Sequence, residues 1–335
     1  MDFAVPSELS ALRASFATFL DREVRPLQER WSIEDATEPA LREMVDEVRR
    51  LSAAAGFYAP YLPESVGGQD LSVLGTTLLV EDAAATGMRL AMTAVAPPNP
   101  AGPSTLLLKL PEHLWPEYLI PVANAERTMC FALTEPEAGS DAQAIRTRAV
   151  RDGDSWVING HKHYITNGAD ADFALVFALT DPEKRAAGGI TAFVVPRDQY
   201  RVGKTQYNIS DSHPAELFFD DARVPADHVV GTEGMGFLEA MAFLNAGRAY
   251  IGAQSLGLAE FALNSAIAHV QARTAFGKPL AKFQGVSFPL ARSKADIEAI
   301  RWLVYHLAWR VDTEGDPLSI MGDASIVKYS ATEHA

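Results

Sequence analysis

Two threonines, Thr134 and Thr166, fall at the ends of short β-like runs, where their hydroxyls can donate to a ligand. Close by, Gly139-Ser140 exposes backbone amides where a phosphate could approach. The same stretches also have plain folding roles: Thr134-Glu135-Pro136 reads as a β-turn with capped carbonyls, and Tyr164 as an aromatic packed on a strand. Arg248 lies in an apolar, small-residue segment where an unpaired guanidinium is costly, so it calls for a fixed anion. That anion is either a ligand or an internal acid such as Asp220. His161 and His163 share one face of a strand, as metal ligands do, but have no cluster of further ligands nearby in sequence. Gly231-Thr-Glu-Gly-Met-Gly236 lacks the GxGxxG order and a βαβ setting, and reads as a loop before a long helix. The single cysteine, Cys130, leaves no intramolecular disulfide and no CxxC metal site within one chain, and reads as a small buried apolar residue.

The elements that must position these groups change character along the chain. Residues 1–127 read as a helical domain, with Leu9, Leu12, Phe16 and Phe19 at three-to-four spacing behind a Ser7 cap, then helices over Leu41 to Leu51 and Leu71 to Ala85. Acidic residues from Glu34 to Glu47 form a solvated helix face, and Pro97-Pro98-Asn99-Pro100 with Gly102-Pro103 form a loop. Residues 128–233 turn to short β-rich runs. Asp152-Gly153 and Asn159-Gly160 flank Trp156-Val157-Ile158 as hairpin signals, and further strands fit Phe173 to Leu179, Ile190 to Val195 and Glu216 to Phe219. Residues 234–335 are helical again. One helix runs from about Phe237 to Thr274, with Gly252 and Gly257 allowing close backbone approach. A second carries Phe283, Val286, Leu290, Ile297, Ile300, Val304, Leu307 and Val311 on one stripe. The expected class is α+β multidomain: an N-terminal helical domain, a central antiparallel β-domain and a C-terminal four-helix-type bundle.

With 335 residues, 48% of them hydrophobic, the chain can bury a large core. Its formal net charge of −14 argues against a general nucleic-acid or anionic-membrane binder, so an anionic ligand needs local arginines. The segment after Met1 shows no secretory pattern and no apolar run is long enough to span a bilayer, which leads to the expectation of a cytoplasmic protein.

Phe131-Ala-Leu-Thr-Glu-Pro-Glu-Ala-Gly-Ser-Asp141 resembles the signature of the acyl-CoA dehydrogenase family, and the match extends through Ala144. Similar pieces follow in family order: Tyr164-Ile-Thr-Asn-Gly168, Phe218-Phe-Asp-Asp-Ala-Arg-Val-Pro225, Asn245-Ala-Gly-Arg248, and Arg273-Thr-Ala-Phe-Gly-Lys-Pro-Leu280 with Phe283-Gln284. The resemblance spans nearly the whole chain. It implies FAD as cofactor, with Thr134 on the flavin pyrimidine edge, Tyr164 against the isoalloxazine ring and Thr166 near flavin N5. Phe131, Leu133, Gly139, Ser140 and Ile165 join that set. Across a subunit interface, it implies Arg273 on the pyrophosphate, with Phe276 and Gln284 near the adenosine half, and Phe283 joins the cofactor-binding set; otherwise Phe276 reads as core packing and Gln284 as a solvated helix face. Ser140, Asn245 and Arg248 are implied to meet the acyl-CoA substrate. The resemblance further implies a homotetramer, at least a dimer, in acyl-CoA or fatty-acid metabolism, with electron-transferring flavoprotein or a similar carrier as acceptor.

Dehydrogenation also needs a carboxylate to take the Cα proton. Most family members place that glutamate near the C-terminus, in sequence beyond the position of Ala335, and some place it directly before the helix arginine, where this chain has Gly247. Glu135 and Glu137 belong to the flavin-side motif and are poor substitutes. The catalytic residue is therefore expected beyond Ala335. Two alternatives stay open: a non-catalytic or half-site subunit of a heteromeric dehydrogenase, and a flavin oxidase or monooxygenase on the same fold. The chain also departs from the family in a compressed stretch from Arg201 to His213 and in lacking a serine within Asp181 to Gly189.

Overall fold

A computed structural model describes residues 4–30, 38–98, 102–208, 213–314 and 319–335. Glu34 of the expected acidic face, Asn99 and Pro100 of the proline-rich loop, and residues 209–212 of the compressed stretch lie outside the described residues. The principal helices are α1 (Ser7–Phe19), α2 (Arg25–Arg30), α3 (Glu38–Ala54), α4 (Val73–Ala85), α5 (Ala91–Val95), α6 (Trp115–Ala123), α7 (Gly236–Ala272), α8 (Gln284–Thr313) and α9 (Met321–His334). The strands are β1 (Met129–Ala132), β2 (Arg148–Asp152), β3 (Ser155–Ile165), β4 (Phe173–Leu179), β5 (Ile190–Pro196), β6 (Arg201–Thr205), β7 (Ala215–Pro225), β8 (Val229–Val230), β9 (Thr274–Ala275) and β10 (Lys278–Pro279). No described helix is long and apolar enough to cross a membrane.

The chain divides into two compact units. The helical unit comprises Met1–Pro63, Gly68–Pro97 and Asn245–Ala335. Its core joins Phe16 of α1, Leu79 of α4, Ala253 of α7, Val304 of α8 and Val327 of α9. The predicted stripe on α8 is borne out where it buries Ile297, Ile300, Val304 and Leu307. Glu81, 3% exposed, is held within this unit by Arg301 Nε at 3.0 Å and the Tyr305 hydroxyl at 2.7 Å. Two expectations need correction. Ser7 is the first helical residue rather than the cap; Pro6 precedes it, and no side chain caps the end. Proline is suited to that place because its φ is preset and it has no N–H to satisfy. Thr274 is not helical either: α7 ends at Ala272, and β9 and β10 form a small hairpin turned by Phe276 and Gly277, at φ 52° and 76°.

The second unit comprises Glu64–Gly67 and Pro98–Leu244, and carries an eight-stranded sheet. Its order is β6-β7-β3-β2-β4-β5-β8, with β1 added against β4. Most neighbours are antiparallel, as expected, but β1 pairs with β4 in parallel from Met129↔Phe173 to Ala132↔Val176. The predicted turn at Asp152-Gly153 exists: Asp152 pairs with Ser155, and Gly153 supplies a φ of 62°. Asn159-Gly160, in contrast, lies inside β3 at a register shift against β7. A Cβ on Gly160 would come 2.3 Å from Thr147 Oγ1, so glycine serves close packing there and not a turn. Cys130 is fully buried, as its reading requires.

Candidate cofactor and substrate site

Thr134 follows β1, Thr166 follows β3, and the backbone lashes the two strand ends together. The His163 amide donates to the Thr134 carbonyl at 2.9 Å, and Lys162 Nζ donates to the Leu133 carbonyl at 2.9 Å. Between them, Leu133-Thr134 is held against the last turn of β3. Tyr164 is 58% exposed and sits at φ 57°, an unusual conformation for an aromatic residue that swings its ring out of the pleat. The packed-aromatic reading of Tyr164 is thereby overturned. Ile165, Phe131 and Leu133 are buried beneath, with Phe131 against Phe177 at 4.7 Å between ring centroids.

The turn reading of Thr134-Glu-Pro is correct in form. Glu135 and Ala138 exchange two backbone hydrogen bonds of 3.1 Å, closing a tight turn, after which Gly139 and Ser140 are exposed. A Cβ on Gly139 would meet nothing within 4 Å, so a ligand has open access to the backbone there.

Sequence reasoning missed what supports this turn. Lys162, on the opposite face of β3 from its histidine neighbours, is fully buried and donates to Glu135 Oε1 at 2.8 Å. Glu135 also accepts from the Arg146 and Thr147 amides at 2.6 and 3.0 Å. Burial lowers the Lys162 ammonium to about 8, with Glu135 pulling the other way. Burial alone would raise the Glu135 carboxyl, but the charge and hydrogen bond of Lys162 with the two amides hold it below its ordinary value. The signal was the alternation itself: a lysine between two histidines on a strand must face inward when they face out.

In the helical unit, Arg248 is half-buried on α7 and donates to Asn245 Oδ1 at 2.6 Å. No ion pair of Arg248 is found among the described residues. Gly247 precedes it and carries no carboxylate. Arg273 and Gln284 are exposed, at the foot of the β9–β10 hairpin and the start of α8. Phe276 is 94% exposed at the hairpin tip, which excludes core packing, and its ring lies edge-on to Phe283 at 6.1 Å.

A flat exposed aromatic, hydroxyls flanking it and open backbone amides form a donor set suited to a heteroaromatic cofactor carrying phosphate. Comparison with known proteins places this architecture. Residues 6–126, 130–222 and 234–335 match the N-terminal, middle and C-terminal domains of acyl-CoA dehydrogenase. The chain belongs to the acyl-CoA dehydrogenase family. A probable acyl-CoA dehydrogenase of Mycobacterium leprae is 35% identical over 327 residues, covering 96% of this chain and 82% of that relative. The structure of butyryl-CoA dehydrogenase from Megasphaera elsdenii is similar at 35% identity and a TM-score of 0.84, covering 100% of this chain and 86% of the other. A glutaryl-CoA dehydrogenase from Mycobacterium smegmatis, solved in complex with FADH2, shares 27% identity at a TM-score of 0.81, over 98% and 82% of the two chains.

Proposed function

We propose that this protein binds FAD and dehydrogenates an acyl-CoA thioester to the α,β-enoyl-CoA. The observation that carries the reading is Tyr164, a ring turned outward at a left-handed backbone position beside the Thr134 segment. Such a conformation in a bulky residue is strained and persists only where the surrounding structure holds it, as happens where a site needs the side chain so placed. When bound, FAD supplies the acceptor for the hydride leaving Cβ. Tyr164 offers it a flat face, Thr134 and Thr166 hydroxyl donors, Gly139 and Ser140 amides, and Phe131, Leu133 and Ile165 a firm apolar floor. From a second copy of the chain, Arg273 grips the pyrophosphate with its planar fork while Phe276, Phe283 and Gln284 border the adenosine half. Ser140, Asn245 and Arg248 orient the acyl-CoA. Glu135 is committed to Lys162 and two amides, so it is not free to serve as the proton acceptor. Electrons then pass to a carrier of the electron-transferring flavoprotein kind.

The test is anaerobic mixing of the purified full-length gene product with butyryl-CoA, the acyl chain named for a similar structure. Bleaching of bound flavin absorbance is expected; a folded protein that is colourless and takes up no added FAD would overturn the reading. Oxygen consumption at the rate of turnover would replace dehydrogenase by oxidase. Arg273→Ala is expected to lower the FAD retained after gel filtration at least several-fold while leaving the circular dichroism spectrum unchanged. Full retention would remove Arg273 from the cofactor site.

A further inference from the structure

His161 and His163 find in the fold the third ligand that their own stretch of sequence lacks. Glu216, near the start of β7, lies opposite them across the β3–β7 ladder, where His161 pairs with Phe218 and Lys162 with Leu217. Its Oε1 is 3.3 Å from His163 Nδ1 and 3.9 Å from His161 Nε2, and the three ligand atoms lie within 4.8 Å of one another. Both imidazole nitrogens are cut off from solvent and have no hydrogen-bond partner. Two such nitrogens turned toward one carboxylate oxygen are a costly arrangement unless something fills the space between them.

We propose that His161, His163 and Glu216 form a binding site for a divalent transition-metal ion of the zinc type. A tetrahedral ion with bonds of about 2.0–2.2 Å sets its ligand atoms about 3.3–3.6 Å apart. The His163–Glu216 separation already meets that, and His161, one third exposed, closes the remaining gap by a small ring rotation. Two imidazoles and one carboxylate favour zinc, cobalt or nickel over calcium or magnesium, which prefer oxygen ligands alone.

The surroundings orient each ligand. The His161 ring stacks on Phe218 at 4.2 Å between centroids. Glu216 Oε2 accepts from the Lys204 amide of β6 at 3.2 Å, leaving Oε1 for the ion. The Gln206 side-chain amide lies 3.2 Å from His163 Nε2. With its oxygen turned to that nitrogen, it accepts the Nε2 proton and leaves the Nδ1 lone pair for the metal, the outer contact that metal-bound histidines ordinarily make. The ion would clip β3 to β7 one residue before Tyr164, whose ring meets that of His163 at 4.0 Å.

The probe is Zn2+, titrated into the chelator-treated full chain against a chromophoric competitor, with Co2+ substitution to read the ligand field. One equivalent is expected to bind the native chain at least 10-fold more tightly than the His161→Ala/Glu216→Gln double variant, in line with the cost of disturbing a metal site. Added Zn2+ is also expected to raise the unfolding temperature of the native chain and not that of the variant. His163→Gln provides a second, milder variant should the double variant fold poorly, and should weaken binding in the same direction. Equal Zn2+ affinity in the native chain and a folded variant overturns the site, as does a folded native chain that binds none. These outcomes are read without flavin, so they stand or fall apart from the dehydrogenase reading.

Discussion

Lys162 and Glu135 form a buried ion pair beneath the proposed flavin edge, and removing one member strands the other. Breaking such a pair costs about 3–5 kcal/mol, because the remaining group keeps its desolvation and loses its compensation. Lys162→Met leaves the carboxylate with two backbone amides, whereas Glu135→Gln leaves the ammonium facing a neutral amide and the Leu133 carbonyl. Glu135→Gln is therefore expected to be the more destabilising in urea denaturation, and the combined variant less so than the sum of the two. The pH dependence follows from the two shifts. Glu135 is held below its unfolded value of 4.5, so its contribution is complete above that pH and is lost as acid protonates it. Lys162 is depressed from 10.5 to about 8, so the unfolded chain binds the extra proton between those values and stability rises with pH across that window. Stability curves of Lys162→Met should lack the alkaline rise; an unchanged curve would deny the pair its role. Because Lys162 also holds the Leu133 carbonyl, the same variant is expected to retain FAD less well than the native chain.

At the scale of elements, α7 shows how packing overrules propensity. Gly257 in mid-helix gives up about 1 kcal/mol relative to alanine, yet a Cβ there would stand 2.4 Å from the Glu81 carbonyl oxygen and 2.7 Å from Ala84 Cβ on α4. Backbone cannot yield as a side-chain tip can, and overpacking costs about 1–3 kcal/mol. Gly257→Ala is thus expected to lower the urea midpoint; a raised midpoint would mean that α4 and α7 separate freely. The close approach was legible in the sequence as glycine and alanine on a long apolar helix, and so was the α8 stripe, since both follow from periodicity. Periodicity is silent on pairing. Nothing local distinguishes Asn159-Gly160 inside β3 from a turn, because its job is to clear Thr147, the residue just before the neighbouring strand β2. Glu216 is likewise invisible as a partner of His161 and His163 until β7 is laid against β3. Tyr164, Thr134 and Arg273 were singled out through the resemblance to a family, whereas the Lys162–Glu135 pair behind the Thr134 turn required knowing which face of β3 points inward.

At the scale of the molecule, the helical unit leaves large apolar side chains in water. On α8, Phe288 and Trp309 are 62% and 52% exposed, 21 residues apart, which is three heptads and so nearly one face of the helix. Ile326 and Tyr329 of α9 are exposed as well, at 52% and 66%. Single exposed hydrophobics are ordinary, but aromatic residues repeated along one helix face mark a surface made for another protein. The occupant proposed here is a second copy of the chain, because the cofactor reading already requires Arg273 and Phe276 to act outside their own subunit. Light scattering after size-exclusion chromatography should return a mass of at least a dimer, with a tetramer expected from the family resemblance. Phe288→Glu/Trp309→Glu is expected to shift the mass toward the monomer. The decisive reading is flavin: if a second copy completes the pyrophosphate site, the dissociated variant loses FAD together with its partner, although neither substituted side chain belongs to the proposed cofactor site. A monomeric variant that keeps its full complement of FAD would confine the cofactor to one subunit and leave Arg273 without the role assigned to it.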